Sequence, residues 1–395
     1  MNKSLLFFIL VVGLLLMGGC LQVADPLIDS PGEIKMEETE QANESNAEKA
    51  KHIGIITSVS SQSKAGLFVK KLGESRVAYD KTAIFHTFWP LDYLSEQDQV
   101  RQTVNNILSS QGIGALIINQ AIPGSAAAIA NAAAWREHCF IVACSPLEET
   151  MAIAQEADLV LAYDLAALGL LAAEQAANMN AQALVYYFNK QQSGVYAQQY
   201  DLAEQTCIDL DMEFIPVELP EDAHSDVEKT KFFTKDVAEK IAKHGKDTAF
   251  FSADAAFAPQ ILISQIIAAQ AIFPLPCQPS PYAGLPQALG MEINDNNYGD
   301  YEYVKMQVKQ ILLGKGLGGR LANFTVDWED LEIITAYEYV SQWLRGEVKN
   351  EKPDIAEISK IMENISGTPC HLRLYEKNGV VYNNYILYYI MPTII

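Results

Sequence analysis

The residues able to do chemistry in this chain are mostly hydroxyls and amides gathered in short polar runs. Ser58, Ser60, Ser61, Gln62 and Ser63 fall within one stretch, Gln120 follows Asn119, and Asn189 and Gln191 stand close together. Such groups donate and accept hydrogen bonds without changing charge near neutral pH. That suits holding a carboxylate or a sugar hydroxyl better than breaking a bond, although serine N-capping accounts for one of the hydroxyls. Trp89, beside Phe88, and Tyr282 offer aromatic faces for stacking, a duty that strand-end aromatics share with the core. Asp254 can pair with an amine or cap the helix that follows it.

Motifs of the common enzyme classes do not hold together. Gly314 to Gly319 satisfies G-x-G-x-x-G, but it follows a helical stretch and leads into an extended one, the reverse of the order a dinucleotide site needs. Ser61 and Lys64 match S-x-x-K without the partner motifs that would make the serine a nucleophile. No G-x-S-x-G, H-E-x-x-H or Walker loop occurs, and His52, His86, His138, His224, His244 and His371 lack metal-ligand spacing. We therefore expect neither catalytic residues nor a metal, and no cofactor.

The elements that must position the polar runs are legible as alternation. Residues 52–58, 82–88, 114–119, 140–144 and 159–163 are short apolar runs, separated by helical stretches at 64–74, 95–110, 124–137 and 147–155. Buried strands alternating with helices argue a parallel sheet covered on both faces, joined by right-handed crossovers. The pattern restarts with helix 165–178, strands at 183–188, 213–217 and 248–252, and helices ending near 211 and spanning 227–244 and 256–270. Later segments are 288–293, helix 300–313, 320–326, and helices 329–346 and 355–364. A terminal hairpin then turns at Asn378-Gly379, a type I′ signal.

The fold class expected is α/β, with two doubly wound Rossmann-like lobes and a hinge. Residues 51–163 form the first lobe, 164–280 the second, and 281–395 supply segments completing both. In such sheets ligands sit beyond the carboxyl ends of the strands, and that rule singles out the polar runs named above.

Composition bounds the partners. With 28 basic and 49 acidic residues the net charge is −21, a balance that repels nucleic acid phosphates and anionic lipid headgroups. The hydrophobic share of 49% and charged share of 19% are those of a globular body large enough for two cores. Five cysteines follow residue 20, an odd number with no C-x-x-C spacing, so core thiols are expected rather than a disulfide framework.

The beginning of the chain reads as targeting. Lys3 precedes an apolar run from Leu5 to Met17, interrupted by Gly13, and Gly18 and Gly19 lead to Cys20. The run is short for a transmembrane helix and right for a signal peptide over residues 1–19. Met17-Gly18-Gly19-Cys20 resembles the lipobox of bacterial lipoproteins, which implies lipid on Cys20 and an extracytoplasmic, membrane-anchored location. Without Lys3 the remaining chain would carry −22. Residues 21–50 hold eight acidic residues and no aromatic one, the composition of a disordered tether with an end-to-end distance of roughly 30 Å.

The bilobed order and the lipobox together resemble type 1 periplasmic binding proteins, the solute receptors of bacterial ABC importers, whose fold also serves sensors. More closely, Ile53–Lys64, Ile117–Gly124, Gly245–Ser252 and Pro279–Gly290 are similar to the bacterial family called domain of unknown function 3798. The loops Asn189–Ser193 and Cys144–Glu149 depart from that family's pattern, so the resemblance implies fold and not ligand. What it implies is a lipid-anchored solute-binding protein that takes a small polar molecule between its lobes for an ABC permease or a sensor. A surface enzyme using the same cleft, and a ligand-free interaction protein, are the alternatives.

Overall fold

Apolar runs too short for helices become the strands of two sheets, and the longer amphipathic stretches between them become the helices. A computed structural model of the chain describes residues 52–58, 64–80, 83–136, 138–190, 193–348 and 352–395. The signal segment, Cys20 and the acidic stretch to residue 50 lie outside the described residues, as do Ser60, Ser61, Gln62, Ser63 and Gln191.

The first lobe runs β1 (His52–Thr57), α1 (Ala65–Asp80), β2 (Ile84–Phe88), α2 (Gln97–Leu108) and β3 (Ile113–Asn119). It continues through α3 (Ser125–Asn131), α4 (Ala133–Arg136), β4 (Phe140–Cys144), α5 (Thr150–Glu156) and β5 (Leu159–Tyr163). The chain then crosses to α6 (Ala167–Asn178), β6 (Ala183–Phe188), α7 (Val195–Asp209), β7 (Glu213–Glu218), α8 (Asp226–His244) and β8 (Thr248–Ser252). Next come α9 (Pro259–Ala269), α10 (Leu285–Ala288), α11 (Tyr301–Gly314) and β9 (Ala322–Asn323). A return crossing leads to α12 (Trp328–Leu344), α13 (Ile355–Ser366), β10 (Cys370–Lys377) and β11 (Val380–Ile390), and a last one to β12 (Thr393–Ile394).

The first sheet has seven strands in the order β10-β11-β5-β4-β3-β1-β2, all parallel except β10. Order reverses between β1 and β3, which makes that crevice the switch point where open α/β sheets bind ligands. The second sheet is β7-β6-β8, also parallel. Single bridges Ala249–Ile272 and Phe273–Leu321 carry it on toward the antiparallel pair β9-β12. The segment after residue 280 thus places β10 and β11 in the first sheet and β9 and β12 beside the second.

One stretch differs from the sequence reading. Residues 288–293 form the end of the short α10 and then irregular chain, because Pro286 opens a four-residue helix and Gly290 follows it at φ 74°. The hairpin turn is as read: Asn378 and Gly379 have φ of 53° and 77°, the left-handed pair of a type I′ turn.

Three apolar clusters hold the elements. One joins the α1–α12–α13 face of the first sheet to α6 and α7, the second lies under α2, α3 and α5, and the third under α8, α9 and α11. Cys139, Cys144, Cys207, Cys277 and Cys370 are free thiols, all buried except the half-buried Cys277. No described helix is long and apolar enough to cross a membrane.

Candidate functional site

Backbone pairing at the carboxyl ends of the first sheet brings several predicted residues to one edge. Trp89 N donates to Thr57 O at 2.9 Å, and Asn119 stands opposite Cys144 in the β3–β4 register. Ser58, half-buried, leaves β1 beside them. Thr57 Oγ1 lies 2.9 Å from His86 Nε2, and burial lowers the pKa of that imidazole. Trp89 is 2% exposed, so its ring faces are covered by protein, whereas Phe88 keeps 46% of its surface. Stacking from this loop would therefore fall to Phe88, since β-strand alternation sends Trp89 into the core.

Asn119 is fully buried, and neither its amide oxygen nor its amide nitrogen has a hydrogen-bond partner among the described residues. Leaving such a group unmet costs about 1–3 kcal/mol, so the position calls for an explanation. Gln120, held at φ 50°, turns outward and donates from Nε2 to Glu329 Oε1 on α12.

On the second sheet, β6 and β8 are neighbours, and Asn189 and Asp254 follow their carboxyl ends, both half-buried. Asp254 Oδ1 accepts from Ala256 N at 2.7 Å, the capping duty that competed with ligand binding in the sequence reading. Tyr282 packs at ring-centroid distances of 4.8 Å on Tyr298 and 5.8 Å on Tyr301, and its hydroxyl accepts from Gly299 N at 2.9 Å. Its ring is thus engaged by neighbouring tyrosines.

One residue of each group reaches the first turn of α12, where the chain has just recrossed: Gln120 bonds Glu329, and Tyr282 feels the charges of Asp330 and Asp327. Asp327 is the N-cap, its Oδ1 accepting from Glu329 N at 3.0 Å. Asp330 and Glu332 are fully buried one turn further. Asp330 accepts from the hydroxyl of Tyr301, and Tyr298 bonds the same carboxyl group. Glu332 accepts from Ser145 Oγ, with Tyr388 as a second partner. Asp330 Oδ1 and Glu332 Oε1 stay without partners among the described residues.

A helix N-terminus favours carboxylates by roughly 0.3–1 kcal/mol, while taking one out of water costs several. Desolvation wins here. Burial pushes Asp327 up to about 6, helped by the nearby Glu329 carboxylate and opposed by a hydrogen bond from Ser280. It raises Asp330 and Glu332 well above the carboxylate range, and the acid–acid proximity adds to both. Among the described residues no group of three or more His, Cys, Asp or Glu is placed to hold a metal ion.

Sequence reasoning missed this cluster. Asp327, Glu329, Asp330 and Glu332 at a helix start look like ordinary capping and dipole compensation, and only their burial sets them apart.

The geometry has relatives. A family model described as Protein of unknown function (DUF3798) matches residues 51–322. A candidate transcriptional regulator from Clostridium difficile 630 superposes with a TM-score of 0.79 at 16% identity, over 87% of this chain and 99% of that one. That likeness shows the two-lobed fold. An ABC transporter periplasmic solute-binding protein from Actinobacillus succinogenes 130z, solved with bound D-allose, aligns at TM-score 0.45 and 13% identity over 77% of this chain and 95% of its own. An uncharacterized protein of Treponema pallidum (strain Nichols) is 31% identical over 144 residues, 35% of this chain and 66% of that protein.

Proposed function

The chain belongs to the family described as Protein of unknown function (DUF3798), and from that premise and its two-lobed fold we propose that it binds a small polar solute between the lobes. The observation that carries this reading is Asn119, a fully buried amide with no described partner, at the switch point of the first sheet. A ligand reaching that crevice would meet Asn119 and Gln120 on one side and Asn189 on the other. Ser58 extends the first lobe's share of the site, with Asp254 and Tyr282 on the second; Ser60–Ser63 and Gln191 are assigned to it from their place in the sequence alone.

A binding role is also favoured over a nucleophilic one by the thiols. Burial and the nearby Glu332 raise Cys144 well above its ordinary pKa, the opposite of what an activated thiolate needs. Lobe closure around the solute would create the surface that an ABC permease or a membrane sensor reads. Lipid on Cys20 would hold the protein at the outer face of the membrane, since a chain of net charge −21 has no electrostatic claim on anionic headgroups.

Native purification of the full chain followed by mass spectrometry of released small molecules is the direct test. A stoichiometric polar solute whose re-addition raises the melting temperature is expected, because a ligand of the native state must stabilise it. If no metabolite in a broad thermal-shift screen does so, and none narrows the scattering envelope, the binding reading falls.

A further inference from the structure

Four acidic side chains open α12, and they are shared alternately between the lobes. Asp327 meets the second lobe, where Ser280 bonds its carboxyl and Pro279 O accepts from Trp328 N at 3.1 Å. Glu329 meets the first, accepting from Gln120 Nε2 beyond β3. Asp330 turns to the second again, accepting from the hydroxyl of Tyr301, and Glu332 to the first, accepting from Ser145 Oγ beyond β4. The alternation follows from helix geometry. Residues three apart are neighbours on a helix and residues two apart are not, so 327 and 330 share one side and 329 and 332 another.

The body of the helix rides on the first lobe. α12 packs on β3, β4 and β5 and against α1 and α13. The grips of Glu329 and Glu332 therefore tie it to the lobe it already covers, and those of Asp327 and Asp330 are the ones that cross. Asp327 sits on the crossing itself, so Asp330 makes the first contact beyond the pivot. Its partner Tyr301 opens α11, whose Val304, Val308 and Leu312 lie in the second lobe's core, so a hold on that hydroxyl is a hold on the lobe. The same stretch is gripped from α1, because Lys71 Nζ donates to the carbonyls of Asp295 and Tyr298 at 2.7 Å each. Residues 295–301 of the second lobe are thus held by two helices of the first.

We propose that the first turn of α12 is an interlobe strap. Asp330, through Tyr301, holds the second lobe closed against the first, and Glu332, through Ser145, fixes the strap to the lobe it rides on. The lobes open by parting the Asp330–Tyr301 contact and leave the Glu332–Ser145 contact made. Burial holds Asp330 well above the usual carboxylate range, so it makes its contact as a neutral acid, a state that asparagine reproduces. The device concerns how the lobes part and needs no assumption about the solute.

The test is small-angle scattering and hydrogen exchange of the full chain with nothing added. Y301F and D330A should widen the scattering envelope and speed amide exchange at 295–301 by about tenfold or more, with exchange at 143–147 unchanged. D330N keeps an oxygen for the Tyr301 hydroxyl and should match the unaltered chain. E332Q and S145A should leave the envelope as it is, with any faster exchange confined to 143–147. Thermal melts check that each variant is folded. If D330A misfolds, Y301F decides, since it removes a single oxygen atom. The strap is overturned if Y301F leaves both the envelope and the protection of 295–301 unchanged, or if E332Q opens the lobes as far. Either result leaves the solute-binding reading standing, because that reading is tested by the released small molecules and not by the empty protein's shape.

Discussion

Lys71 Nζ on α1 donates to the carbonyl oxygen of Tyr298 at 2.7 Å, tying the first lobe's leading helix to a loop of the second. The same ammonium reaches Asp295 O at 2.7 Å and Asn296 O at 3.3 Å. Lys64 Nζ lies 2.8 Å from Asp295 Oδ1, and Phe68 packs under Gly299. The loop is thus latched to α1 at several points, across the gap that a hinge would open.

Lys71→Met is expected to loosen that latch. Hydrogen bonds to a charged group contribute about 1.5–3 kcal/mol, so the variant should show faster hydrogen exchange at 294–300 and a larger radius of gyration. Lys64→Ala should change little, because that pair is largely exposed, with 43% and 69% of its side chains in solvent. Equal effects from the two substitutions would contradict the latch.

Asp327 predicts a pH dependence with a definite sign. Its folded pKa is raised from 3.8 to about 6, mainly by burial, with hydrogen bonds from Ser280 and the backbone of Glu329 and Asp330 opposing and the Glu329 carboxylate adding as a like charge. The stability it contributes is complete below its unfolded value and is lost as pH rises through about 6. At 1.36 kcal/mol per pH unit the loss approaches about 3 kcal/mol. Urea midpoints of the full chain and Asp327→Asn, taken at about pH 4, 5.5 and 7, should therefore converge at acid pH and separate as pH rises. Parallel curves would remove Asp327 as the cause.

Gly169 is predicted to tolerate no side chain. A Cβ there would lie 1.8 Å from Gln199 O, since α6 and α7 cross at that point. Gln199 cannot retreat freely, as it bonds Tyr186 and the carbonyl of Leu165. Gly169→Ala should lower unfolding stability by about 3 kcal/mol, read as a drop in the urea midpoint.

Replacing Cys20 by alanine is expected to release the protein from membranes with its fold and ligand affinity intact, measured by fractionation and thermal shift. Continued membrane association would point to a retained signal segment or a protein partner. In the same assays, alanine at Ser60, Ser61 and Ser63 should weaken solute binding without lowering the melting temperature of the empty protein.

Some of this could be taken directly from the residues. β1, β3, β4, β6 and β8 are apolar runs whose burial on both faces follows from composition, and Asn378-Gly379 turns its hairpin by local conformational preference alone. The polar loops after those strands were findable by the switch-point rule, which needs only element order. Sheet order was a step further, because a strand as short as β9 or β12 has no pattern of its own and exists only where a neighbour's edge accepts it.

The acidic turn of α12 belongs wholly to tertiary structure. In sequence, Asp327, Glu329, Asp330 and Glu332 are an ordinary solvated helix start, and Tyr298 and Tyr301 are scattered aromatics. Packing α12 against β3 and β4 takes Asp330 and Glu332 out of water. The cost of that desolvation, which no spacing of letters encodes, turns a capping pattern into a candidate site.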